Sequence, residues 1–139
     1  METITQSQET QNILNAYFQS VGQKDAEGIA SFFSEKIDWY IAESDLMPWT
    51  GRRSSRSEVV DGLRLLFDAH VDGEEQFELD HIFIDNNQAA VFGIAGRQVK
   101  ATGKSFSTNF CMRFTIENGL ISKFLMLEDT RKIEKAFIA

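Results

Sequence analysis

The sequence predicts an α+β fold in which N-terminal helices pack on an antiparallel sheet. Apolar residues recur with helical spacing in the first half of the 139-residue chain and with strand spacing in the second half. The 12 phenylalanines and the single proline are typical of a packed core rather than of a disordered chain. Because we find no repeat, low-complexity tract or linker, we expect a single domain over residues 1–139.

Three helices and one short strand are predicted before the middle of the chain. The first helix covers residues 7–23 and carries one apolar stripe, and Asp25 is expected to cap a short second helix. Residues 37–42 are rich in side chains that favour strands, and residues 43–54 are predicted to form a loop. A serine followed three residues later by glutamate is a capping-box pattern, and it predicts that the third helix begins at Ser55.

The second half of the chain is predicted to be a meander of four strands. Their ranges are 76–84, 89–99, 105–117 and 120–128, and a short terminal helix is predicted at 131–138. The connections are rich in Asn and Gly, which tolerate the backbone conformations of tight turns. Strands joined by such short turns must be antiparallel neighbours.

Composition and charge argue against several classes of function. The net charge of −7 repels phosphate backbones, so we expect no nucleic-acid partner. Cys111 is the only cysteine, the two histidines lack a zinc-type spacing, and no nucleotide-binding fingerprint occurs, so we expect no metal and no cofactor. The N-terminal stretch lacks the features of a targeting peptide and no apolar run could span a bilayer. We therefore expect a cytoplasmic location and no membrane partner.

Three arginines, Arg52, Arg53 and Arg56, form the one basic cluster of the chain. Together they could hold a single anion, but they make no groove for a polymer. The competing interpretation is a solvated turn whose charges balance nearby acidic residues. The sequence leaves both interpretations open.

Three parts of the chain follow the order and spacing of a known superfamily. Residues 14–29 look like its opening helix pair, residues 48–59 look like the loop that leads into its third helix, and residues 112–121 look like its last hairpin. Over almost its whole length the chain resembles the NTF2-like superfamily, in the branch of SnoaL-like and ketosteroid-isomerase-like proteins. This resemblance implies a cone of the cystatin-like or NTF2-like roll type. In that roll a curved antiparallel sheet packs on about three N-terminal helices and leaves an interior cavity.

Alternation along the strands, with the last hairpin aligned to the superfamily, indicates which side chains face that cavity. We expect most of the apolar ones to be core. Arg97 and Tyr17 carry more information, because a buried polar group needs a partner. The candidates for ligand binding are Tyr17, Trp39, Trp49, Arg97, Phe110, Met112, Phe124 and Met126.

Glu128 is the candidate catalytic residue, and His81 is the alternative. The same register turns Glu128 inward, where burial could tune its pKa toward neutrality. His81 has a suitable intrinsic pKa and its strand is expected inside the sheet, although a structural role is the competing interpretation. His70 is expected at the surface. Glu43 and Asp45 are expected near the mouth of the cavity, where we favour solvation over ligand contact.

Two positions argue against the ketosteroid isomerase reaction. The resemblance places Tyr17 at the catalytic tyrosine of that enzyme, but Ile41 and Phe110 stand where its two aspartates would be. Neither residue can take or share a proton. We therefore predict a pocket for a small apolar or aromatic molecule. The protein is either an isomerase, cyclase or hydrolase with a single acid–base group, or a non-catalytic ligand-binding or dimerisation domain.

Some predicted strands carry apolar residues on both sides, as residues 82–84 and 91–92 do. An antiparallel sheet with only one covered face would alternate apolar and polar residues instead. We therefore expect a homodimer that forms through the outer face of the sheet.

Overall fold

The computed structural model describes residues 4–139 and confirms the α+β fold. The elements of this part of the chain are α1 (Gln6–Gly22), α2 (Ala26–Ala30), β1 (Phe33–Ile41), β2 (Gly51–Ser55), α3 (Arg56–Asp68), β3 (Gln76–Asp85), β4 (Gln88–Gln98), β5 (Ser105–Glu117), β6 (Leu120–Glu128) and α4 (Thr130–Phe137). None of the described helices is long and apolar enough to cross a membrane. The first three residues, which belong to the stretch predicted not to be a targeting peptide, lie outside the described residues.

The six strands form one sheet in the order β2-β1-β6-β5-β4-β3. Strands β3 to β6 make the predicted antiparallel meander, and β1 and β2 are also antiparallel. The junction between β1 and β6 is parallel and is the exception to the antiparallel pattern. These two strands are separated in sequence by α3 and the meander, and a connection of that length can return the chain in the same direction.

The segment predicted to be a loop at 43–54 contains most of the short strand β2. This strand pairs with β1 at the edge of the sheet. Its sequence is Gly, two arginines and two serines, which gives no alternation of apolar and polar residues. An edge strand can be short and charged because only one of its sides needs a partner, so the sequence pattern did not reveal it.

Of the two helix caps predicted from the sequence, the one at the start of α3 is confirmed and the one at the start of α2 is not. At the start of α3, Ser55 Oγ accepts a hydrogen bond of 3.2 Å from the backbone N–H of Glu58, as the capping box predicts. Asp129 caps α4 in the same way by accepting from the N–H of Lys132 at 3.2 Å. Asp25 occupies the N-cap position of α2, but its side chain makes no capping hydrogen bond.

The sheet is curved, and its concave face packs on the helices. Its pairing register shifts within the β1–β2, β3–β4 and β5–β6 pairs. Such β-bulges bend a strand and increase its twist. Residues of α1, α2 and α3 share one apolar core with the inward side chains of the strands.

One end of this concave face is filled by aromatic rings. The Tyr17 ring lies 5.7 Å from that of Phe33 and 5.5 Å from that of Phe114, centroid to centroid. Phe124 lies 5.4 Å from Phe114. All these pairs meet edge to face, a favourable arrangement of aromatic rings. The other end of the concave face is less completely filled, and a cavity lies there.

Candidate functional site

The cavity lies between the concave face of the sheet and all four helices of the described chain. Counted with its mouth, the cavity has about 820 Å³ of empty space. By a second measure, the volume that the centre of a water-sized sphere can reach, it has about 100 Å³. A single water needs only about 10–15 Å³ by the second measure. The cavity therefore has room for several waters or for a narrow organic ligand.

Most of the residues predicted to bind a ligand lie on the cavity wall. They are Tyr17, Trp39, Trp49, Arg97, Met112, Phe124 and Met126. The candidate catalytic residue Glu128 lies there too, and so does His70. The remaining wall residues are aliphatic, aromatic or methionine side chains, so the few polar groups stand out against an apolar surface.

Phe110 is a packing residue beside the cavity and does not belong to its wall. Its ring stacks on that of Phe77 with centroids 5.3 Å apart. It also lies over Gly93 of β4, where an added Cβ would come within 2.6 Å of the Phe110 ring and 2.1 Å of the Glu78 carbonyl oxygen. Gly93 is therefore required for the close approach of this ring to the strand.

The prediction that the strand of His81 lies inside the sheet was wrong. Strand β3 is an edge strand of the sheet, and His81 is exposed on it. The bulge between Leu79 and His81 changes the pairing at this point. His81 stacks on the exposed Phe83 with ring centroids 5.7 Å apart, far from the cavity wall. The geometry gives His81 no role in the cavity.

Among residues 4–139, Glu128 is the only carboxylic acid on the wall of this cavity. It ends β6 and pairs in register with Phe110 of β5. Its carboxyl group makes no hydrogen bond or ion pair within residues 4–139. Burial raises the pKa of Glu128 to about 7, and the positive charge of Arg97 acts in the opposite direction. Near neutral pH this carboxyl group is therefore present in both its protonated and its ionised form.

Arg97 lies close to the end of β4 and also borders the cavity. The centre of its guanidinium group is 5.8 Å from the centroid of the Phe67 ring. Burial lowers its pKa, while the charges of Glu75 and Glu128 raise it. Within the described chain the guanidinium forms no ion pair closer than 4.0 Å and no hydrogen bond. Its donors are therefore available to a ligand.

His70 was expected at the surface, and this prediction was wrong. Only 3% of His70 is exposed, and it lies on the cavity wall just after α3. Its Nδ1 lies 2.7 Å from the carbonyl oxygen of Leu66, so Nδ1 carries the hydrogen and donates it. Nε2 is buried and has no partner among residues 4–139. Burial lowers the pKa of His70 to about 4, so the ring is neutral at pH 7.

The sequence carried a signal for the burial of His70. The apolar stripe of α3 contains Val59, Leu63 and Leu66 at steps of four and three residues, and a further step of four reaches His70. Three aromatic rings surround the imidazole, those of Trp49, Phe106 and Phe137, with centroids 5.3–5.8 Å away. His70 was expected at the surface because it lies near the end of the third helix, but the apolar stripe continues as far as this residue.

Tyr17 is buried at the boundary between the aromatic core and the cavity. Burial raises the pKa of its hydroxyl still further above the ordinary value of 10.0, so the group stays neutral. The hydroxyl makes no hydrogen bond within the described residues. It can therefore donate to or accept from a ligand.

The basic cluster of Arg52, Arg53 and Arg56 serves the protein itself. Arg52 pairs with Asp38. Arg53 donates to the carbonyl oxygens of Glu58 at 2.8 Å and Pro48 at 3.1 Å, and Arg56 donates to that of Phe33 at 2.7 Å. Each of the three guanidinium groups therefore has a partner within the protein, and an anion site at this cluster stays a prediction.

The two acidic residues of the loop after β1 do not contribute to the cavity. Glu43 and Asp45 are exposed there and do not line the cavity. Over residues 4–139, no group of three His, Cys, Asp or Glu side chains lies close enough together to hold a metal ion.

Comparison with known proteins gives a family match and many structural matches. The family described as "SnoaL-like domain" matches residues 14–124. Among proteins with curated descriptions, none matches this chain. The chain is similar in structure to an NTF2-like protein from Burkholderia thailandensis, with 20% identity, a TM-score of 0.81, and coverage of 99% of this chain and 100% of that one.

Two further structures are similar over most of both chains. TerC, crystallised with polyporic acid, is 15% identical with a TM-score of 0.80, covering 93% of this chain and 98% of that one. An epoxide hydrolase from M. tuberculosis, described as LEH-like, is 12% identical with a TM-score of 0.72, covering 97% of this chain and 89% of that one. At such low identities these structures show a shared fold alone.

Proposed function

We propose that the cavity binds a small, mostly apolar molecule and that Glu128 transfers a proton from one atom of this molecule to another. The chain belongs to the SnoaL-like domain family of the NTF2-like superfamily. The observation that carries this proposal is the placement of one carboxyl group, without a hydrogen-bond partner among the described residues, in an apolar cavity that it shares with an unpaired arginine. A lone acid–base group in such a setting is typical of a site of proton transfer.

The proposed chemistry uses the two charged residues in different roles. The ionised Glu128 takes a proton from a carbon atom next to a carbonyl group of the ligand. The electron pair of the broken C–H bond moves toward the carbonyl oxygen, which accepts hydrogen bonds from Arg97. Glu128 then returns the proton, and return to a different atom gives an isomerised product. The pKa of about 7 supports both halves of this cycle at neutral pH.

Several features support an isomerase or cyclase over a hydrolase. Within the described part of the chain, Glu128 is the single carboxylic acid on the cavity wall, and proton removal and return require only one. The positions of Ile41 and Phe110, where the ketosteroid isomerase resemblance would require carboxylates, hold buried apolar side chains. TerC, with its polyporic acid, is a precedent for a small organic ligand with this fold.

The test uses acetophenone, a small neutral aromatic ketone, as a probe of proton abstraction. The wild-type protein is expected to accelerate exchange of the methyl protons in D₂O above the rate in buffer, followed by ¹H NMR. Glu128→Gln keeps the shape of the side chain but cannot take a proton, so it should lose about 100-fold or more of the acceleration. Glu117→Gln, at the exposed end of β5, is the matched control and should keep it.

The outcomes of this test separate the two classes of function. Acceleration that disappears only in Glu128→Gln supports the enzyme. Binding of acetophenone without any acceleration would instead support a non-catalytic ligand-binding domain. Acceleration that survives in Glu128→Gln would overturn the assignment of the acid–base residue.

The homodimer expected from the sequence stays a proposal, and the outer face of the sheet supplies its support. Phe92, Cys111 and Leu127 pair in register across β4, β5 and β6, and Phe83 lies 6.0 Å from Phe92, ring to ring. Phe83, Phe92 and Leu127 are 58%, 43% and 47% exposed, which a second copy would cover. Light scattering should give the mass of a dimer for the wild type and of a monomer for Phe92→Arg. A wild-type protein that is still a monomer at high concentration would exclude the homodimer.

A further inference from the structure

A second, polar cleft lies next to the cavity. Its wall includes Lys24, Phe67, His70, Glu75, Arg97 and Lys100. Phe67, His70 and Arg97 line both spaces, so the cleft and the cavity share one wall. A ligand that filled the cavity could therefore place one end in the cleft.

The charged groups of the cleft leave an excess of positive charge. Lys24 is already paired with two carboxylates, those of Asp72 and Glu75. Arg97 and Lys100 have no ion pair within the described residues, and His70 is neutral at pH 7 because burial holds its pKa at about 4. This local excess stands out on a chain whose net charge is −7.

Arg97 is the group that most needs a partner. Arg97 is half-buried, and the charges of Glu75 and Glu128 act on it. Neither carboxylate pairs with it directly within the described residues, so the contacts with water that its guanidinium has lost are not fully replaced. Its planar fork of N–H donors matches the two oxygens of a carboxylate. The apolar cavity on one side of Arg97 and Lys100 on the other indicate where the two ends of such a ligand would lie.

We propose that the cleft holds the carboxylate of the ligand, with Arg97 and Lys100 as its donors, while the apolar body of the ligand extends into the cavity toward Glu128. This deepens the proposed function and rests on it, since it defines the ligand as a small, mostly apolar carboxylic acid.

Binding of a carboxylate would also change the protonation of Glu128. Arg97 faces Glu75 on the side of the cleft and Glu128 on the side of the cavity, and Tyr17 and His70 are neutral. The charge of Arg97 is what opposes the raised pKa of Glu128. A bound carboxylate neutralises that charge, so the pKa of Glu128 rises and the group takes up a proton near pH 7. Glu128 is then partly protonated when a carboxylate ligand is bound, and its ionised fraction is the form that takes a proton from the ligand.

The test compares two probes of the same shape, hydrocinnamate and its uncharged amide, hydrocinnamamide, by calorimetry at pH 7.5. The wild type should bind hydrocinnamate at least tenfold more tightly than the amide, since only the carboxylate accepts hydrogen bonds from Arg97 with a negative charge opposite the guanidinium. Arg97→Gln should remove this preference and leave the amide affinity within about twofold. Arg113→Gln removes the same charge from an exposed site on β5 and should leave the preference unchanged.

Two further variants guard against misfolding of Arg97→Gln. Lys100→Gln should reduce the preference about threefold, because Lys100 is exposed and its attraction is screened. Arg97→Lys keeps the charge but loses the fork and should give an intermediate preference.

Proton uptake is measured by repeating the titration in two buffers of different ionisation enthalpy. Binding of hydrocinnamate should be accompanied by uptake of a fraction of a proton from the buffer in the wild type and by no uptake in Glu128→Gln.

The outcomes distinguish this proposal from the one on which it rests. Equal affinities for both probes, or a preference that survives in Arg97→Gln, would overturn the carboxylate site and leave the cavity proposal standing. If neither probe binds, the carboxylate site fails, and the exchange of the acetophenone methyl protons decides the cavity proposal separately. Binding of hydrocinnamate without proton uptake would overturn the inferred effect of carboxylate binding on the protonation of Glu128.

Discussion

The two ends of the concave face of the sheet use the same strands for different purposes. At the filled end, Phe33, Phe114 and Ile121 have no exposed surface, and aromatic rings meet edge to face. At the open end, the same inward side of the strands carries Arg97 and Glu128 beside unfilled space. Alternation along a strand thus decides which way a side chain points. The position of a residue along the strand decides whether its side chain packs against neighbours or faces a cavity.

A matched pair of substitutions on β5 gives the largest expected difference between the two ends. Phe114→Ala removes a fully buried ring and should lower the free energy of unfolding by about 4 kcal/mol. Phe106→Ala removes the same atoms from a half-buried ring at the open end and should cost about 1 kcal/mol. Urea unfolding measures both. Equal costs would mean that the open end is packed as tightly as the filled one.

Glu128→Gln should stabilise the protein in a pH-dependent way. The pKa of Glu128 is higher in the folded state than its ordinary value of 4.5, so burial disfavours the ionised form. This cost is absent below about pH 4.5 and grows as the pH rises toward 7. We expect Glu128→Gln to be more stable than the wild type by about 2 kcal/mol at pH 8 and equally stable at pH 4. A constant difference across this range would contradict the burial of the carboxyl group.

His70 should make the fold sensitive to mild acid. Its pKa is lower in the folded state than in the unfolded chain, so stability present above pH 6.5 is lost as the pH falls toward 4. Between pH 7 and pH 5 the wild type should lose about 1.5 kcal/mol more than His70→Asn, whose amide can still donate to Leu66. His81→Asn is the matched control, because it makes the same substitution at an exposed position outside the cavity wall. Identical profiles for all three proteins would place His70 in contact with water.

The local elements of the fold were predictable, and the placement of the edge strands was not. Periodicity and turn residues sufficed for the helices and the meander, because each depends on neighbours in sequence; Asn86 and Asn118 indeed adopt positive φ in the predicted turns. The exposure of His81 depends on strand order, which alternation along one strand cannot reveal. Strand β2 was missed because its arginines and serines carry no strand pattern.

The candidate site was predictable in part for a similar reason. The parity of residues along β4 and β6, with the resemblance to fix the register, sufficed to place Arg97 and Glu128 on the cavity wall. The cavity itself depends on how all the side chains together fill the space under the sheet. The stripe of α3 indicates that His70 is buried, but only its contacts with Trp49 and Phe137, which are distant in sequence, place it at the cavity.

The pKa of Glu128 is the property on which the proposed chemistry depends most directly. It can be measured by ¹³C NMR of protein labelled at the glutamate carboxyl carbon, with Glu128→Gln to assign the resonance. We predict a midpoint near pH 7 in the wild type, and a higher midpoint in Arg97→Gln, because the nearby positive charge is then absent. A midpoint near 4.5 that does not respond to Arg97→Gln would show a solvated carboxylate and contradict the proposed site.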